Sequence, residues 1–204
     1  MDGDGKSTVT PKDPYRLNFT YAAIPSTPDH SKSNPGPAKS GANRAGYTRA
    51  TLNKHAAAEW DHGPARADGS VPLFATAVTV DFTLDPITVA VSSDYDKDSC
   101  PYKVTLKHEI DDHVKSYIKI FLSYHDRLVN ALNTITFPTK SKPKWIKPQE
   151  IDTFQDALGE QLRQVILDVS GKLKDEMDAD RKAKDSPDAY KAIYRQCSEE
   201  EWQS

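Results

Sequence analysis

The spacing of hydrophobic residues changes once along this chain, from every second residue to every third or fourth. Hydrophobic and polar residues alternate in the segment ATAVTVDFTL at residues 75–84 and again in ITVAV at residues 87–91. This period predicts two strands, joined at the corner Asp85-Pro86. Beyond about residue 103 the period becomes helical, which predicts helices over residues 103–133, 149–184 and, more briefly, 187–202. The expected fold class is α+β, a small β-hairpin or sheet beside a long antiparallel helical hairpin.

The first 72 residues have a different composition from the rest of the chain. They hold most of its prolines and glycines, and the stretch IPSTPDHSKSNPGPAKSGANRAG has almost nothing apolar to bury. We therefore expect a disordered or extended N-terminal arm over residues 1–72 and an α+β domain over residues 73–204. Within the arm, the sequence predicts a short helix from Thr51 to Trp60 that ends before Gly63, with His55 and His62 exposed to solvent.

Charge and hydropathy exclude several classes of partner. The chain has 204 residues and a formal net charge of −3, so no global basic field recruits nucleic acid or an acidic membrane surface. No apolar run approaches the roughly 18 residues that a membrane span needs. The polar start MDGDGKSTVT lacks the basic-then-apolar order of a signal peptide. Phosphate-binding glycine loops and serine nucleophile elbows are also missing from the sequence.

The two cysteines, Cys100 and Cys197, are too far apart in sequence to form a CxxC zinc pair. In an oxidising compartment they could form a disulfide, which the chain-entropy model values at roughly 4 to 5 kcal/mol for such a long loop. Two unrelated buried thiols are the other interpretation, and the sequence leaves both open.

The segment KHEIDDHV, at residues 107–114, comes close to the HExxH motif of zinc peptidases. His108 and Glu109 stand as in that motif, but His113 follows His108 by five residues instead of four. At about 100° per residue, an α-helix would place the two histidines about 140° apart, too far to bind one ion. A π-bulge would absorb the extra residue, and we favour this solution. Alternatively, Asp112 replaces His113 as the second ligand.

The same segment also allows an interpretation without a metal ion. Its acidic residues fall in the first turns of a predicted helix, where negative charge complements the helix dipole. The two histidines would then be solvated or capping residues.

The wider segment YDKDSCPYKVTLKHEIDDHVKSY resembles a bacterial family of predicted secreted zinc-dependent proteases. The resemblance rests on Ser99-Cys100, Tyr102, Leu106, His108-Glu109, His113-Val114 and Tyr117, and the ending AYKAIYRQCS fits the same layout. It covers about residues 76 to 200 and implies a zincin-like fold, Zn²⁺ as cofactor and a disulfide from Cys100 to Cys197. The HExxxH spacing itself resembles that of the dipeptidyl-peptidase III family, whose zinc helix tolerates the insertion.

A catalytic zinc site needs a third protein ligand. His125 lies twelve residues beyond His113, about 18 Å along the helix, so it cannot share the ion and is expected to be a buried histidine bonded to a neighbour. Counting equal distances from the connector of the helical hairpin places Glu176 opposite His108, with Asp175 and Asp180 as near alternatives. Glutamate-type zincins use a glutamate of a later helix in this way.

The sequence therefore favours a zinc-dependent hydrolase that acts on peptides or proteins. His108 and His113 would hold the metal, Glu109 would activate water, and strand 87–91 would offer an edge to an extended substrate. A secreted or periplasmic location, as for an exported bacterial effector, fits the resemblance, with the cytoplasm as the alternative. A non-catalytic interaction domain or degenerate metallopeptidase, with a partner bound through the N-terminal arm, is the second hypothesis. A cysteine hydrolase pairing Cys100 with His108 is the third, and it fails if Cys100 is oxidised.

Overall fold

A computed structural model describes residues 10–22, 30 and 46–203. Within these residues there are six strands: β1 (Tyr15–Tyr21), β2 (Gly46–Arg49), β3 (Leu52–His62), β4 (Val71–Leu84), β5 (Thr88–Val91) and β6 (Lys144–Ile146). The helices are α1 (Cys100–His108), a π-helix (Glu109–Val114), α2 (Lys115–Ser123), α3 (His125–Leu132), α4 (Ile151–Lys184), α5 (Pro187–Tyr194) and α6 (Glu199–Gln203). A single 3-10 turn (Pro148–Glu150) leads into α4. The expected α+β class is confirmed.

The described residues form two compact units, each built from three stretches of chain. The first unit takes Met1–Thr20, Leu52–Thr83 and Leu122–Leu173, and the second takes Tyr21–Thr51, Leu84–Phe121 and Lys174–Ser204. The division therefore does not follow the boundary expected between residues 72 and 73.

The first unit is organised around the central strand β4. Strands β1 and β3 flank β4, and β6 pairs antiparallel with its first residues, so that Val71 faces Ile146. The side chains of Val78, Val80 and Phe82 are fully buried, which confirms the alternation that predicted this strand. This sheet is larger than the small β element expected, because two of its strands come from the presumed N-terminal arm.

The predicted helix from Thr51 to Trp60 is wrong, since these residues lie in or beside strand β3. Ala56, Ala58 and Trp60 are half-buried while their neighbours are exposed, so the segment shows the period of a strand. Alanine has the strongest helix propensity, but propensity is a weak determinant of conformation, and pairing with β4 outweighs it here. His55 and His62 are exposed, as expected. The proline-rich stretch expected to be disordered falls mostly in residues 23–29 and 31–45, outside the described residues.

The second unit carries a two-stranded sheet and most of the helical residues discussed below. Strand β2 pairs antiparallel with β5 along its whole length, from Gly46 opposite Val91 to Arg49 opposite Thr88. Ser99 caps α1 by accepting a hydrogen bond from the backbone N–H of Tyr102, and Pro101 occupies the first turn. Val114 and Phe121 are fully buried.

The helix predicted over residues 103–133 is continuous only in part. It contains the π-helix at its centre and is interrupted at Tyr124, between α2 and α3. The helix predicted over residues 149–184 is confirmed as α4, whose buried stripe includes Leu158, Leu162 and Leu173. No helix in the described ranges is long and apolar enough to cross a membrane.

Cys100 and Cys197 are joined in a disulfide, which closes a loop with a sequence separation of 97 residues. The bond links the first residue of α1 to the segment between α5 and α6. An oxidised Cys100 offers no thiolate, so the cysteine hydrolase hypothesis is wrong.

Candidate metal centre

The π-helix brings the two histidines of the HExxxH segment together. The π-helix spans Glu109–Val114, so His108 immediately precedes it and His113 lies near its end. A π-turn takes one more residue than an α-turn, which compensates for the spacing of five residues. The rings of His108 and His113 lie 4.9 Å apart between centroids and are nearly perpendicular. The favoured solution to the spacing problem is therefore the one that the backbone adopts.

Asp185 completes a group of three potential ligands. His108, His113 and Asp185 each offer one ligand atom, and the three atoms lie within 4.8 Å of one another. His113 Nε2 is 3.1 Å from Asp185 Oδ1. Both histidines are buried, with exposed fractions of 8% and 2%. Two imidazoles and a carboxylate are a donor set that Zn²⁺ accepts at a catalytic site.

Each histidine has a buried ring nitrogen without a hydrogen-bond partner among the described residues, Nε2 of His108 and Nδ1 of His113. Buried polar atoms in folded proteins nearly always have partners, so an unpartnered ring nitrogen in a ligand cluster favours an ion or a water there. The donor set and the free nitrogen of His108 therefore fit a metal ion.

Asp112, the alternative to His113 as second ligand, contacts the ring of His108 instead. Its Oδ2 lies 2.7 Å from His108 Nδ1, and 53% of the side chain is exposed. Because a carboxylate only accepts hydrogen bonds, Nδ1 carries the proton, and the buried Nε2 keeps a lone pair that is available to a metal ion. Metal-binding histidines are commonly oriented in this way by a carboxylate.

Glu109 lies beside the cluster and is 3% exposed. Thr48 Oγ1 of strand β2 donates a hydrogen bond to Glu109 Oε2 at 2.6 Å. Burial raises the pKa of Glu109, and the hydrogen bond from Thr48 offsets part of that effect. A carboxylate whose pKa is shifted toward neutrality is a better general base than an ordinary glutamate.

His113 is surrounded by negative charge. Burial lowers its pKa, but the hydrogen bond to Asp185 and the charges of Glu109 and Asp185 outweigh burial, so the net pKa is raised. The nearby hydroxyl of Tyr117 is also buried, which raises its pKa to about 12. An excess of negative charge around a histidine suits a bound cation.

The cluster borders a small cavity of about 30 Å³. Its lining residues are Gly46, Tyr47, Thr48, Glu109, His113, Arg181, Asp185 and Tyr190. A volume of about 10–15 Å³ suffices for one water molecule, so a cavity of this volume has room for a water or an ion and is far smaller than a typical site for an organic ligand. The hydroxyl of Tyr190 lies 3.2 Å from Asp185 Oδ1 and donates to it.

Glu176, the ligand predicted from helix α4, is exposed and lies outside the cluster. The prediction of Glu176 came from counting residues along two antiparallel helices and assumed that the first helix is unbroken. The π-helix and the interruption at Tyr124 change the direction in which the side chains of that helix point and their height along it. Asp175 is exposed too, and Asp180 pairs with Lys184 at 2.7 Å.

The residue that sequence reasoning missed, Asp185, follows the last residue of α4. Ser186 caps α5 and Pro187 begins it, so the sequence DSP does mark a turn. Helical periodicity cannot give the direction of a side chain in such a turn.

His125 is not one of the three potential ligands, which all belong to the second unit. It belongs to the first unit, where its Nδ1 lies 3.0 Å from Asp126 and its ring packs edge-on against Phe19. It bonds to a neighbour as expected, although it is half-buried rather than buried. The other ligand-like group, Cys100, Cys197 and Glu201, contains the two disulfide-bonded cysteines and offers no thiolate.

Searches against protein-family models, curated proteins and solved structures find no match to this chain. The fold and the cluster thus define an α+β protein with a disulfide and a candidate metal centre of two histidines and an aspartate. The resemblance to secreted zinc-dependent proteases stays a prediction.

Proposed function

We propose that this protein is a zinc-dependent hydrolase whose substrates are peptides or proteins. The observation that carries the proposal is the convergence of His108, His113 and Asp185 beside the buried carboxylate of Glu109. His108, His113 and Asp185 would hold the ion and leave room for a water or a substrate, as catalytic zinc sites require. When bound, zinc supplies Lewis acidity, which polarises a carbonyl and lowers the pKa of a coordinated water to about 7.

The remaining steps fall to side chains of the chain itself. Glu109 would take a proton from the attacking water and return it to the leaving amine. Asp112 holds the imidazole of His108 in the tautomer that leaves Nε2 free. Arg181 lines the cavity, pairs with Asp178 at 3.3 Å, and would supply positive charge to a substrate carbonyl that develops negative charge.

The disulfide supports an oxidising compartment for this protein. Disulfides persist mainly in secreted and periplasmic proteins, because the cytosol keeps thiols reduced. We therefore propose that the protein acts outside the cytoplasm.

The burial of the cluster favours a second candidate function. A metal enclosed with room only for a water would also suit a structural site in a non-catalytic binding protein, as expected of a degenerate metallopeptidase. Hydrolysis distinguishes the two functions.

The test compares the zinc-loaded protein with Glu109→Gln, which removes the proposed base but none of the three ligands. Both proteins are incubated with a mixture of quenched fluorescent peptides, and zinc content is measured in parallel. We expect cleavage by the wild type and a loss of at least about 100-fold in Glu109→Gln, at unchanged zinc content. Zinc binding without cleavage of any peptide would favour the structural site. Equal cleavage by both proteins would overturn the assignment of Glu109.

A further inference from the structure

Strand β2 forms one wall of the cavity beside the candidate metal centre. Three of its four residues, Gly46, Tyr47 and Thr48, line that cavity. Sites that bind organic ligands typically have volumes of about 300–1,000 Å³, whereas this cavity has about 30 Å³. A peptide therefore has no room to reach Glu109 while β2 is in place.

Strand β2 lies along β5 as an added strand would. The four residue pairs between them are antiparallel, from Gly46 opposite Val91 to Arg49 opposite Thr88. Proteins commonly bind extended peptides by this type of pairing with a strand edge. One edge of β5, the strand expected to bind an extended substrate, is thus occupied by the chain itself.

The fit of β2 against the site is tight at two positions. A Cβ atom at Gly46 would lie 2.7 Å from Thr105 Cγ2 and 2.9 Å from the carbonyl oxygen of Ala90, so no side chain fits there without displacement. Thr48 donates its hydroxyl proton to Glu109 Oε2. This bond engages one of the two Glu109 oxygens that could accept a proton from water.

A disulfide constrains the segment that forms another part of the cavity wall. Asp185 and Tyr190 stand on that wall, and the disulfide between Cys100 and Cys197 ties the end of the same segment to α1. Strand β2 is held by four residue pairs, by its packing at Gly46 and by the hydrogen bond of Thr48, none of which is covalent. We therefore take β2 as the part of the wall that opens.

We propose that β2 is an internal occupant that closes the candidate metal centre, and that an extended peptide gains access by replacing β2 beside β5. This inference rests on the proposed function. The segment Gly46–Arg49 acts as an autoinhibitory strand, and its displacement frees Glu109 from Thr48 and removes the part of the cavity wall that β2 forms. A displacing peptide needs a glycine or another very small residue opposite Val91, where Gly46 lies.

The experiment measures how fast zinc leaves the full-length, zinc-loaded protein when a chromogenic chelator is added. In Gly46→Ala, the added methyl group pushes β2 away from Thr105 and Ala90, so the open fraction increases. We expect zinc release roughly tenfold faster than in the wild type, with one zinc still bound before the chelator is added. The matched control is Gly171→Ala, because a Cβ at that position of α4 meets nothing within 4 Å. Its release rate should equal that of the wild type.

A second variant and a peptide cover the case in which Gly46→Ala does not fold. Thr48→Val keeps the size of the side chain but removes the hydroxyl, and it should also release zinc faster. A synthetic peptide of residues 46–50, GYTRA, should slow release from the opened variant, whereas the same peptide with valine in place of its glycine should not.

The outcomes separate the two proposals. If the wild type binds no zinc, the proposed function fails and the inference fails with it. If zinc binds but Gly46→Ala and Thr48→Val release it at the wild-type rate, β2 is not a closing strand and the proposed function stands.

Discussion

The carboxylate of Asp112 shows how one residue outside the ligand cluster can control it. Asp112 follows His108 by four residues and accepts the hydrogen bond from its Nδ1 at 2.7 Å. If the carboxylate fixes the tautomer and orientation of His108, its charge and geometry both contribute to metal affinity.

Replacing Asp112 with asparagine should weaken zinc binding. Partners that orient metal-binding histidines typically change metal affinity by about 10–100-fold when they are mutated, and we expect Asp112→Asn to fall in that range. Competition with a chelator of known affinity gives the dissociation constant. Asp111→Asn is the matched control, because Asp111 pairs with Lys115 at the surface and does not bond to His108. A dissociation constant that is equal in wild type and Asp112→Asn would contradict the role of Asp112.

At the residue scale, the sequence indicated part of the site and misplaced the rest. His108, Glu109 and His113 were found from a short motif with a known physical mechanism. Asp185 was not, because it lies in a turn, where no period relates sequence position to side-chain direction. Thr48 was missed as well, since its contact with Glu109 joins residues 61 positions apart.

The π-helix is the element on which the candidate site depends. It places His113 near His108 while keeping Val114 and Phe121 buried further along the helix. An α-helix in its place would rotate the residues that follow by about 100° relative to those before it.

Deleting Asp111 restores the usual four-residue spacing between the two histidines. It also rotates the residues after the deletion relative to those before it, so side chains that are now buried would point elsewhere. We expect the deletion to lower the free energy of unfolding by about 3 kcal/mol or more, because buried side chains leave the core. Chemical denaturation measures this change. The control, Asp111→Ala, removes an exposed side chain and should change stability by no more than about 0.5 kcal/mol. A deletion variant as stable as the control would show that the core does not require the π-helix.

The disulfide is a second feature that connects secondary-structure elements, since it links α1 to the segment after α5. Its loop spans 97 residues, for which the chain-entropy model gives roughly 4–5 kcal/mol of stabilisation. The double variant Cys100→Ser/Cys197→Ser should therefore lose up to that much free energy of unfolding, measured by denaturation in urea. A loss well below 1 kcal/mol would mean that the bond constrains little of the unfolded chain.

Element prediction succeeded where hydrophobic periods were long and failed where tertiary pairing decided. Strand β4 and helix α4 show their periods over many residues, and both were predicted. Strand β3 contains the alanine-rich stretch HAAAEW, which suggested a helix, but the neighbouring β4 determines its conformation. No local pattern in residues 52–62 reveals that neighbour.

At the scale of the whole molecule, a metal that binds only the folded chain must stabilise it. A free zinc concentration 100 times the dissociation constant adds about 2.7 kcal/mol to the free energy of unfolding. For a chain of this size, that increment raises the midpoint of thermal unfolding by roughly 5–10 °C. Differential scanning fluorimetry with zinc and then with excess chelator measures the shift. No shift, or a shift that the chelator does not reverse, would contradict a specific site.

The most direct test of the candidate metal centre is the number of zinc ions per chain, measured by elemental mass spectrometry on tag-free protein. The wild type is compared with Asp185→Ala, and Glu176→Ala is the matched control, because Glu176 is an exposed carboxylate of α4 outside the cluster. We predict one zinc per chain in the wild type and in Glu176→Ala, and a clear loss in Asp185→Ala, as in His108→Ala and His113→Ala. A wild type that binds no zinc even when zinc is supplied, or an Asp185→Ala variant that keeps its zinc, would contradict the assigned centre.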